Sequence, residues 1–163
     1  MNIFVTNRSA LICANDLDDK RVVKMVLETC QLLNNASSIL YKIEGGVIPY
    51  KLTHMKHPCT LWAAKSEDNF LWLTDYFAYL LEEYTSRYHK EHKCEQYLSV
   101  FQNLISEDWF KAPLEFLNCT TRHKHIDDVF EAYKAELNLK WDNDVRPATW
   151  CRGACMPPKW RIA

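Results

Sequence analysis

Apolar side chains repeat along much of this chain at the three- and four-residue steps of α-helices. The clearest stripe follows Asp16, a plausible N-cap, and comprises Val22, Val26, Cys30 and Leu33. It predicts a first long helix that ends at about Leu40. Asp18 and Asp19 suit its first turn, because acidic side chains are favourable at the N-terminal end of a helix.

A second stripe predicts another long helix, from an N-cap at Ser66 to about His89. Its apolar face is broad and comprises Phe70, Leu73, Phe77, Leu80, Leu81, Tyr84 and Tyr88. Weaker patterns predict shorter helices near residues 61–63, 96–105 and 127–139.

Residues 2–6 have the β-branched and aromatic content of a short strand or extended arm, which is too isolated to found a sheet. The residues after the last predicted helix are rich in Pro, Arg and Trp and predict an irregular tail. The length of 163 residues fits one domain, and no linker divides it. The sequence therefore predicts a compact all-α domain spanning residues 1–163, with a short extended N-terminal arm and an irregular C-terminal tail.

Composition narrows the class of protein. No apolar run approaches the roughly 20 residues of a membrane-spanning helix, and the first residues lack the pattern of a signal peptide. The seven Cys are an odd number without the spacing of a disulfide scaffold, so we expect reduced thiols. These features predict a cytoplasmic protein that does not contact membranes.

Charge and motif spacing exclude several kinds of site. With 20 Lys and Arg against 21 Asp and Glu, the net charge of −1 gives no long-range attraction to nucleic acid, so any such site must be a local patch. The three glycines form no glycine-rich phosphate loop. The His and Cys residues match no standard zinc spacing, and we expect neither a metal nor a cofactor.

One face of the first predicted helix carries a polar stripe at steps of four, four, three and four: Lys20, Lys24, Glu28, Gln31 and Asn35. One interpretation is a solvated face with ion pairs between successive turns. The other is an acid/base pair, because a lysine beside a carboxylate can be tuned for attack and a partly desolvated glutamate can move a proton. The stripe alone leaves both interpretations open.

Two other segments have candidate binding residues. Residues 53–59 bring His54, Lys56 and His57 to a predicted helix start, where backbone N–H groups favour anions; alternatively, His57 merely caps the junction. The tail interleaves cations with indoles that can pair with phosphates and stack on bases, among them Arg146, Trp150 and Arg152. Alternatively, its Trp residues pack across the helices while the Arg heads stay in water.

Four segments resemble phage proteins of the pyrimidine-dimer DNA glycosylase type: LDDKRVVKMVLE at 17–28, YKLTH at 50–54, HPC at 57–59 and EYTSRY at 83–88. Ser66, Asn69 and Trp72-Leu73 also match, and the resemblance covers most of the chain. It extends more remotely to the endonuclease V family. That family implies a compact all-helical fold that extrudes a nucleotide opposite a thymine dimer and cleaves a glycosidic bond.

By this resemblance Glu28 is the catalytic glutamate. The nucleophile of that family is an N-terminal amine, which removal of the initiator Met exposes on a small residue. Asn2 is bulky, so we expect Met1 to be retained, and the nucleophile is either the Met1 amine or Lys24, one turn from Glu28. Without a Schiff base, Glu28 would activate water for base excision without strand cleavage.

The predicted activity is cleavage of an N-glycosidic bond at a damaged or modified DNA base, with AP-lyase activity if an imine forms. The expected nucleic-acid or nucleotide contacts are Lys20, Arg21, Gln31, His54, Lys56, His57, Asn69, Arg87, Arg146, Trp150 and Arg152. The near-neutral charge supports a rival, a phage protein of the same fold that sequesters a nucleotide or nucleotide signal. The partner is then DNA or a nucleotide ligand, in the cytoplasm of a bacterial host.

Overall fold

The computed structural model describes residues 2–106 and 114–162. Within these two ranges the chain forms six α-helices and no strand: α1 (Ala10–Asn15), α2 (Asp19–Leu40), α3 (Pro58–Ala63), α4 (Glu67–Tyr88), α5 (Leu98–Gln102) and α6 (Val129–Asn143). A short 3-10 turn, Glu95–Tyr97, directly precedes α5. The all-α prediction is confirmed for these residues. Met1, one of the predicted nucleophiles, lies outside them.

The long helices α2 and α4 form where the apolar stripes predict them. Ser66 caps α4 as predicted, because its hydroxyl accepts a hydrogen bond from the backbone N–H of Asn69. α4 ends at Tyr88, and the next residue, His89, is its C-cap, with a φ of 54° in the left-handed region common at helix ends. α2 begins later than predicted, since Asp18 rather than Asp16 is its N-cap residue. Asp16 closes α1, a helix too short to show a periodic pattern.

The shorter predicted helices are present with different ends. The helix predicted at 96–105 is a 3-10 turn followed by the five residues of α5. α6 extends further than predicted, to Asn143, and the Asp128 carboxylate accepts hydrogen bonds from two N–H groups of its first turn. This cap sets where α6 begins.

The core is built on α2 and α4, which pack against each other. α1 packs against α4, and α3 packs against both long helices. The N-terminal arm, residues 2–6, is buried and irregular, and it forms no strand in the described part of the chain. Burial of apolar surface is the main force that holds these elements together. Within the described ranges, no helix is both long and apolar enough to cross a membrane.

The turn between α1 and α2, residues 16–19, carries three buried aspartates, and we call it the acidic turn. Asp16 accepts hydrogen bonds from the hydroxyl of Thr6 at 2.6 Å and from the indole N–H of Trp160 at 3.2 Å. Burial raises the pKa of Asp16, and these two hydrogen bonds partly offset that effect. Because Thr6 belongs to the arm and Trp160 to the tail, one carboxylate joins both ends of the described chain.

Asp18 connects the acidic turn to α6. Its Oδ1 accepts hydrogen bonds from the indole N–H of Trp141 at 2.8 Å and from the guanidinium of Arg21 at 3.0 Å. Arg21 also donates to Asp144, directly after α6, at 2.9 Å. These contacts fix α6 to the N-terminal end of α2.

Asp19 connects the acidic turn to α4 and to the tail. Its Oδ2 accepts hydrogen bonds from the Thr149 hydroxyl at 3.0 Å and the Cys151 backbone N–H at 3.1 Å. Its Oδ1 accepts one from Arg87 at 3.3 Å, and the buried Arg87 guanidinium also donates to the Leu17 carbonyl at 2.7 Å. The tail is irregular, as predicted, but it is anchored.

The loop between α2 and α3 is held on α2 by two neighbouring asparagines. The Asn34 amide accepts a hydrogen bond from the Val47 N–H at 2.8 Å and donates one to the Tyr50 carbonyl at 2.9 Å. The Asn35 amide donates to the Thr53 carbonyl at 2.5 Å. These side-chain contacts replace the backbone pairing that an irregular loop lacks.

Replacing Arg87 with Met should destabilise the protein strongly, because Asp19 stays buried without its cation. We expect the free energy of unfolding to fall by about 3–5 kcal/mol, measured by urea denaturation. Arg122→Met, at an exposed position, is the control and should change it by less than about 0.5 kcal/mol. Equally small changes in both variants would show that Arg87 does not hold the acidic turn.

The acidic turn should also make stability depend on pH. Burial alone would raise the pKa of Asp19, but hydrogen bonds from Cys151 and Thr149 and the charge of Arg87 outweigh it, and this pKa lies below its usual value. Such a carboxylate stabilises the fold above the unfolded-state pKa of about 3.9, and the contribution is lost as the pH falls through the folded-state pKa. Asp19→Asn should therefore destabilise the protein at neutral pH but lose less stability than wild type in acid. Urea denaturation at neutral and acidic pH measures how much free energy of unfolding each protein loses in acid. Equal losses in wild type and Asp19→Asn would contradict the prediction.

Candidate active site

The polar stripe of α2 runs from solvent towards the protein interior. The side chains of Lys20 and Lys24 are 65% and 64% exposed, whereas that of Glu28 is 19% exposed. Gln31 is half-buried, and Asn35 is buried under the α2–α3 loop. The first turns of the stripe are therefore a solvated face, and from Glu28 onwards the stripe is largely covered.

Glu28 lies at the boundary between these two parts. Its Oε1 is 3.4 Å from Nζ of Lys24, one helical turn earlier, so the predicted pair is present as an ion pair. On its other side Glu28 is close enough to His57 to raise the pKa of that imidazole electrostatically. A partly desolvated carboxylate in this position can accept a proton or stabilise a developing positive charge.

His57 is the N-cap of α3, and its Nδ1 accepts a hydrogen bond from the Cys59 backbone N–H at 3.2 Å. In the neutral ring the proton is then on Nε2, an assignment made from this hydrogen bond. Burial lowers the pKa of His57, His54 lowers it further, and Glu28 partly offsets the shift. His57 therefore caps the helix, as one interpretation predicts, and offers an Nε2–H donor at neutral pH. His54 and Lys56, in the same loop, are exposed.

Two bulky residues beside α3 have backbone conformations that L-amino acids seldom adopt. The φ angles are 56° at His54 and 47° at Phe4, and such conformations cost about 1–3 kcal/mol each. The backbone of Ile3 lies near the thiol of Cys59, so the N-terminal arm runs beside the first turn of α3. The N-terminal arm and the α2–α3 loop, which both lie beside the first turn of α3, therefore each contain one strained residue.

A second group of predicted residues lies at the N-terminal end of α2, where the tail crosses it. Lys20, two helical turns from Glu28 and about 12 Å away along the axis, pairs with Asp144 at 3.4 Å. Arg146 and Arg152 are exposed further along the tail. The structure therefore separates the predicted residues into a Glu28 group and a tail group.

Four other predicted residues contact the protein's own groups. Arg21 and Arg87 are buried at the acidic turn. Asn69 is buried, and its amide donates to the Trp62 carbonyl at 2.7 Å, which joins α4 to α3. Trp150 is half-buried, and its indole donates to a backbone carbonyl of the acidic turn at 3.3 Å. Contact of these four residues with nucleic acid stays a prediction.

Tyr76 on α4 is a residue that no sequence pattern singled out. Tyr76 is completely buried, and its hydroxyl has no hydrogen-bond partner among the described residues. Burial raises the pKa of Tyr76 well above its usual value, and the negative charge of Glu28 is one of the smaller contributions to this increase. A tyrosine amid the apolar residues of α4 is typical of a core position, so the sequence holds no signal for this arrangement.

Among residues 2–106 and 114–162, no three His, Cys, Asp or Glu side chains converge as a metal site requires. The His123 ring pairs through Nδ1 with the buried carboxylate of Glu136 at 2.9 Å. That the protein needs no metal or other cofactor stays a prediction.

The family model described as pyrimidine dimer DNA glycosylase matches residues 1–96 of the 163. The matched part contains α1 to α4, and with them Glu28 and the α2–α3 loop, whereas α6 and the tail lie beyond it. No curated protein and no solved structure matches the chain. Because the family match spans more than half of its residues, this chain belongs to the pyrimidine dimer DNA glycosylase family.

Proposed function

We propose that this protein cleaves the N-glycosidic bond of a damaged or modified base in DNA, with Glu28 as the acid/base residue. The observation that supports this most is the position of Glu28 within the part of the chain that matches the family. Its carboxylate is mostly buried where the polar stripe of α2 reaches the loop that carries His57. Partial burial strengthens the interaction of a carboxylate with a nearby developing positive charge.

The reaction would begin with attack of an amine on C1′ of the deoxyribose. The C1′–N bond breaks, and its electron pair leaves with the base. The Glu28 carboxylate stabilises the positive charge on the sugar in the transition state. The attached nitrogen then passes one proton to the departing base. If O4′ takes up a proton from water and the C1′–O4′ bond breaks, a protonated imine forms at C1′, and Glu28 can remove a proton from C2′. Elimination of the 3′ phosphate would follow, which is AP-lyase activity.

Lys24 and the α-amine of Met1 are the two candidate nucleophiles. Lys24 is exposed to solvent, and its Nζ is in an ion pair with Glu28 at 3.4 Å. An α-amine generally loses its proton nearer neutral pH than a lysine side chain does. Ile3 lies against the first turn of α3, which supports an amine from the start of the chain. We therefore favour the Met1 amine and keep Lys24 as the alternative.

The exposed polar groups around Glu28 and along the tail would hold the DNA. The Nε2–H of His57 and the ammonium of Lys56 would contact the extruded nucleotide or its phosphates. Lys20, Arg146 and Arg152 would contact phosphates further along the duplex, because they are exposed cations at the N-terminal end of α2. Their number is small, so binding should be modest in strength and should weaken only gradually as the salt concentration rises.

A second candidate function is binding of a nucleotide or nucleotide signal without chemistry. The net charge of −1 favours it, because a small ligand needs less electrostatic attraction than duplex DNA. The same residues around Glu28 would then hold a ligand that leaves the protein chemically unchanged.

Replacing Glu28 with Gln should reduce base excision by about 10²–10⁴-fold, because the amide keeps the shape of the side chain but not its charge. The measurement is release of base from duplex DNA that carries a thymine dimer. Glu131→Gln is the matched control, since Glu131 is also ion-paired with a lysine, at 2.8 Å, but lies on α6. Full excision by Glu28→Gln would refute the assignment.

A wild-type protein that releases no base and returns bound nucleotide intact after heat denaturation would favour the second function.

Borohydride trapping on abasic-site DNA should identify the nucleophile, because it reduces an imine to a stable adduct. We expect Lys24→Ala to keep the wild-type yield of adduct and acetylation of the α-amine to abolish it. Lys140→Ala is the matched control, since Lys140 also pairs with a buried glutamate one helical turn away, at 3.6 Å, but lies on α6. Loss of the adduct in Lys24→Ala alone would transfer the role to Lys24.

A further inference from the structure

Two thiols of the tail lie against one carboxylate of the acidic turn. The Cys151 thiol donates a hydrogen bond to Oδ2 of Asp19 at 3.4 Å, and Sγ of Cys155 lies 3.7 Å from Oδ1 of the same side chain. The Cys155 thiol also donates to the carbonyl oxygen of Arg152 at 2.7 Å, so its side chain folds back towards the residue that follows Cys151. Three contacts therefore place the two thiols in one small region, and the proposed cleavage of DNA uses neither of them.

The backbone between the two cysteines is a tight turn at residues 152–154. Gly153, in the middle of this turn, has a φ of 64°, in the left-handed region that favours glycine. A side chain at this position would also be crowded, because a Cβ would lie 3.2 Å from the carbonyl oxygen of Ser86 on α4. The turn keeps Cys151 and Cys155 close, as a disulfide requires, since the two Cα atoms of a disulfide lie within about 7 Å of each other.

Accessibility distinguishes this pair from the other five cysteines. Cys151 is exposed, and Cys155 is partly exposed. Cys119 is also partly exposed, but its backbone N–H donates to the hydroxyl of Tyr133 on α6. The remaining four are fully buried: Cys13, Cys30, Cys59 and Cys94. Because oxidants react with accessible thiols and spare buried ones, we expect Cys151 to react first.

We propose that Cys151 and Cys155 form a reversible oxidation site for peroxides. The sulfur of Cys151 attacks the O–O bond of hydrogen peroxide, which gives a sulfenic acid on Cys151 and one molecule of water. The sulfur of Cys155 then attacks the Cys151 sulfur, and the S–S bond forms as the S–O bond breaks. The hydroxyl group leaves with the Cys155 proton as a second molecule of water. A dithiol reductant returns both thiols by exchange.

Asp19 connects this reaction to the anchoring of the tail. In the reduced protein its two oxygens hold the two thiols side by side. A disulfide has no S–H group, so Asp19 then keeps its contacts with Arg87, the Thr149 hydroxyl and the Cys151 backbone N–H but loses the thiol donors. Oxidation therefore changes the contacts by which the acidic turn holds the tail.

The experiment treats the reduced, full-length protein with an equimolar amount of hydrogen peroxide, alkylates the remaining thiols and maps a tryptic digest by mass spectrometry. Trypsin cleaves after Arg152, between the two cysteines, so the disulfide would join peptides 141–152 and 153–159. We expect this cross-linked peptide in the wild type and its loss after treatment with a dithiol. Cys119→Ser is the matched control, because Cys119 is also partly exposed, and this variant should give the same cross-link.

Two serine variants separate the roles of the two thiols, because serine keeps a hydrogen-bond donor near Asp19. Cys155→Ser should give no cross-link but a sulfenic acid on Cys151, detected by its reaction with dimedone. Cys151→Ser should give neither product. These results would support the proposal.

Three other results would overturn it. Alkylation of both Cys151 and Cys155 in the peroxide-treated wild type would show that the pair is not oxidised. A sulfinic acid on Cys151, or a disulfide from Cys151 to a second molecule, would show that Cys155 does not reach it. Loss of the cross-link in Cys119→Ser would show that the reaction depends on a different thiol. Because the readout is the mass of the peptides, none of these results depends on the proposed activity on DNA.

Discussion

The burial of three carboxylates in one short turn is the constraint on which the rest of this structure depends. A buried carboxylate is energetically costly unless hydrogen bonds and cations compensate it. The compensating groups of the acidic turn come from the N-terminal arm, α4, α6 and the tail. Asp16 accepts hydrogen bonds from the arm and the tail, Asp18 accepts one from Trp141 of α6 through its Oδ1, and Asp19 accepts them from Arg87 of α4 and from the tail. The turn forms its full set of contacts only when all these elements are in place.

This constraint also determines how much positive charge is left for a ligand. Arg21 and Arg87 form ion pairs with aspartates of the acidic turn, so their charges are compensated within the protein. The cations that remain exposed on α2 and the tail include Lys20, Arg146 and Arg152. A chain with a net charge of −1 can therefore still present a local basic surface at one end of α2, with little attraction for DNA at long range.

The candidate active site depends on a different set of contacts, those that hold the α2–α3 loop on α2. Asn34 and Asn35 bind the loop backbone, and Gly46 permits its approach, because a Cβ at that position would lie 2.3 Å from the Asn34 Oδ1. The loop then delivers His57 to the turn of α2 that carries Glu28. These residues lie in the part of the chain that matches the family, so the site and the family match rest on the same elements.

The sequence by itself determined the helical class, the two long helices and the position of Glu28 on a polar stripe, because each follows from local periodicity and capping. It also carried the family resemblance, which the family match confirms. The tertiary structure alone decided that Arg21, Arg87 and Asn69 are buried, that the stripe becomes covered at Glu28 and that the buried Tyr76 hydroxyl has no partner among the described residues. Burial and pairing depend on residues far apart in the chain, such as Asp16 and Trp160, and no local pattern of side chains contains that information.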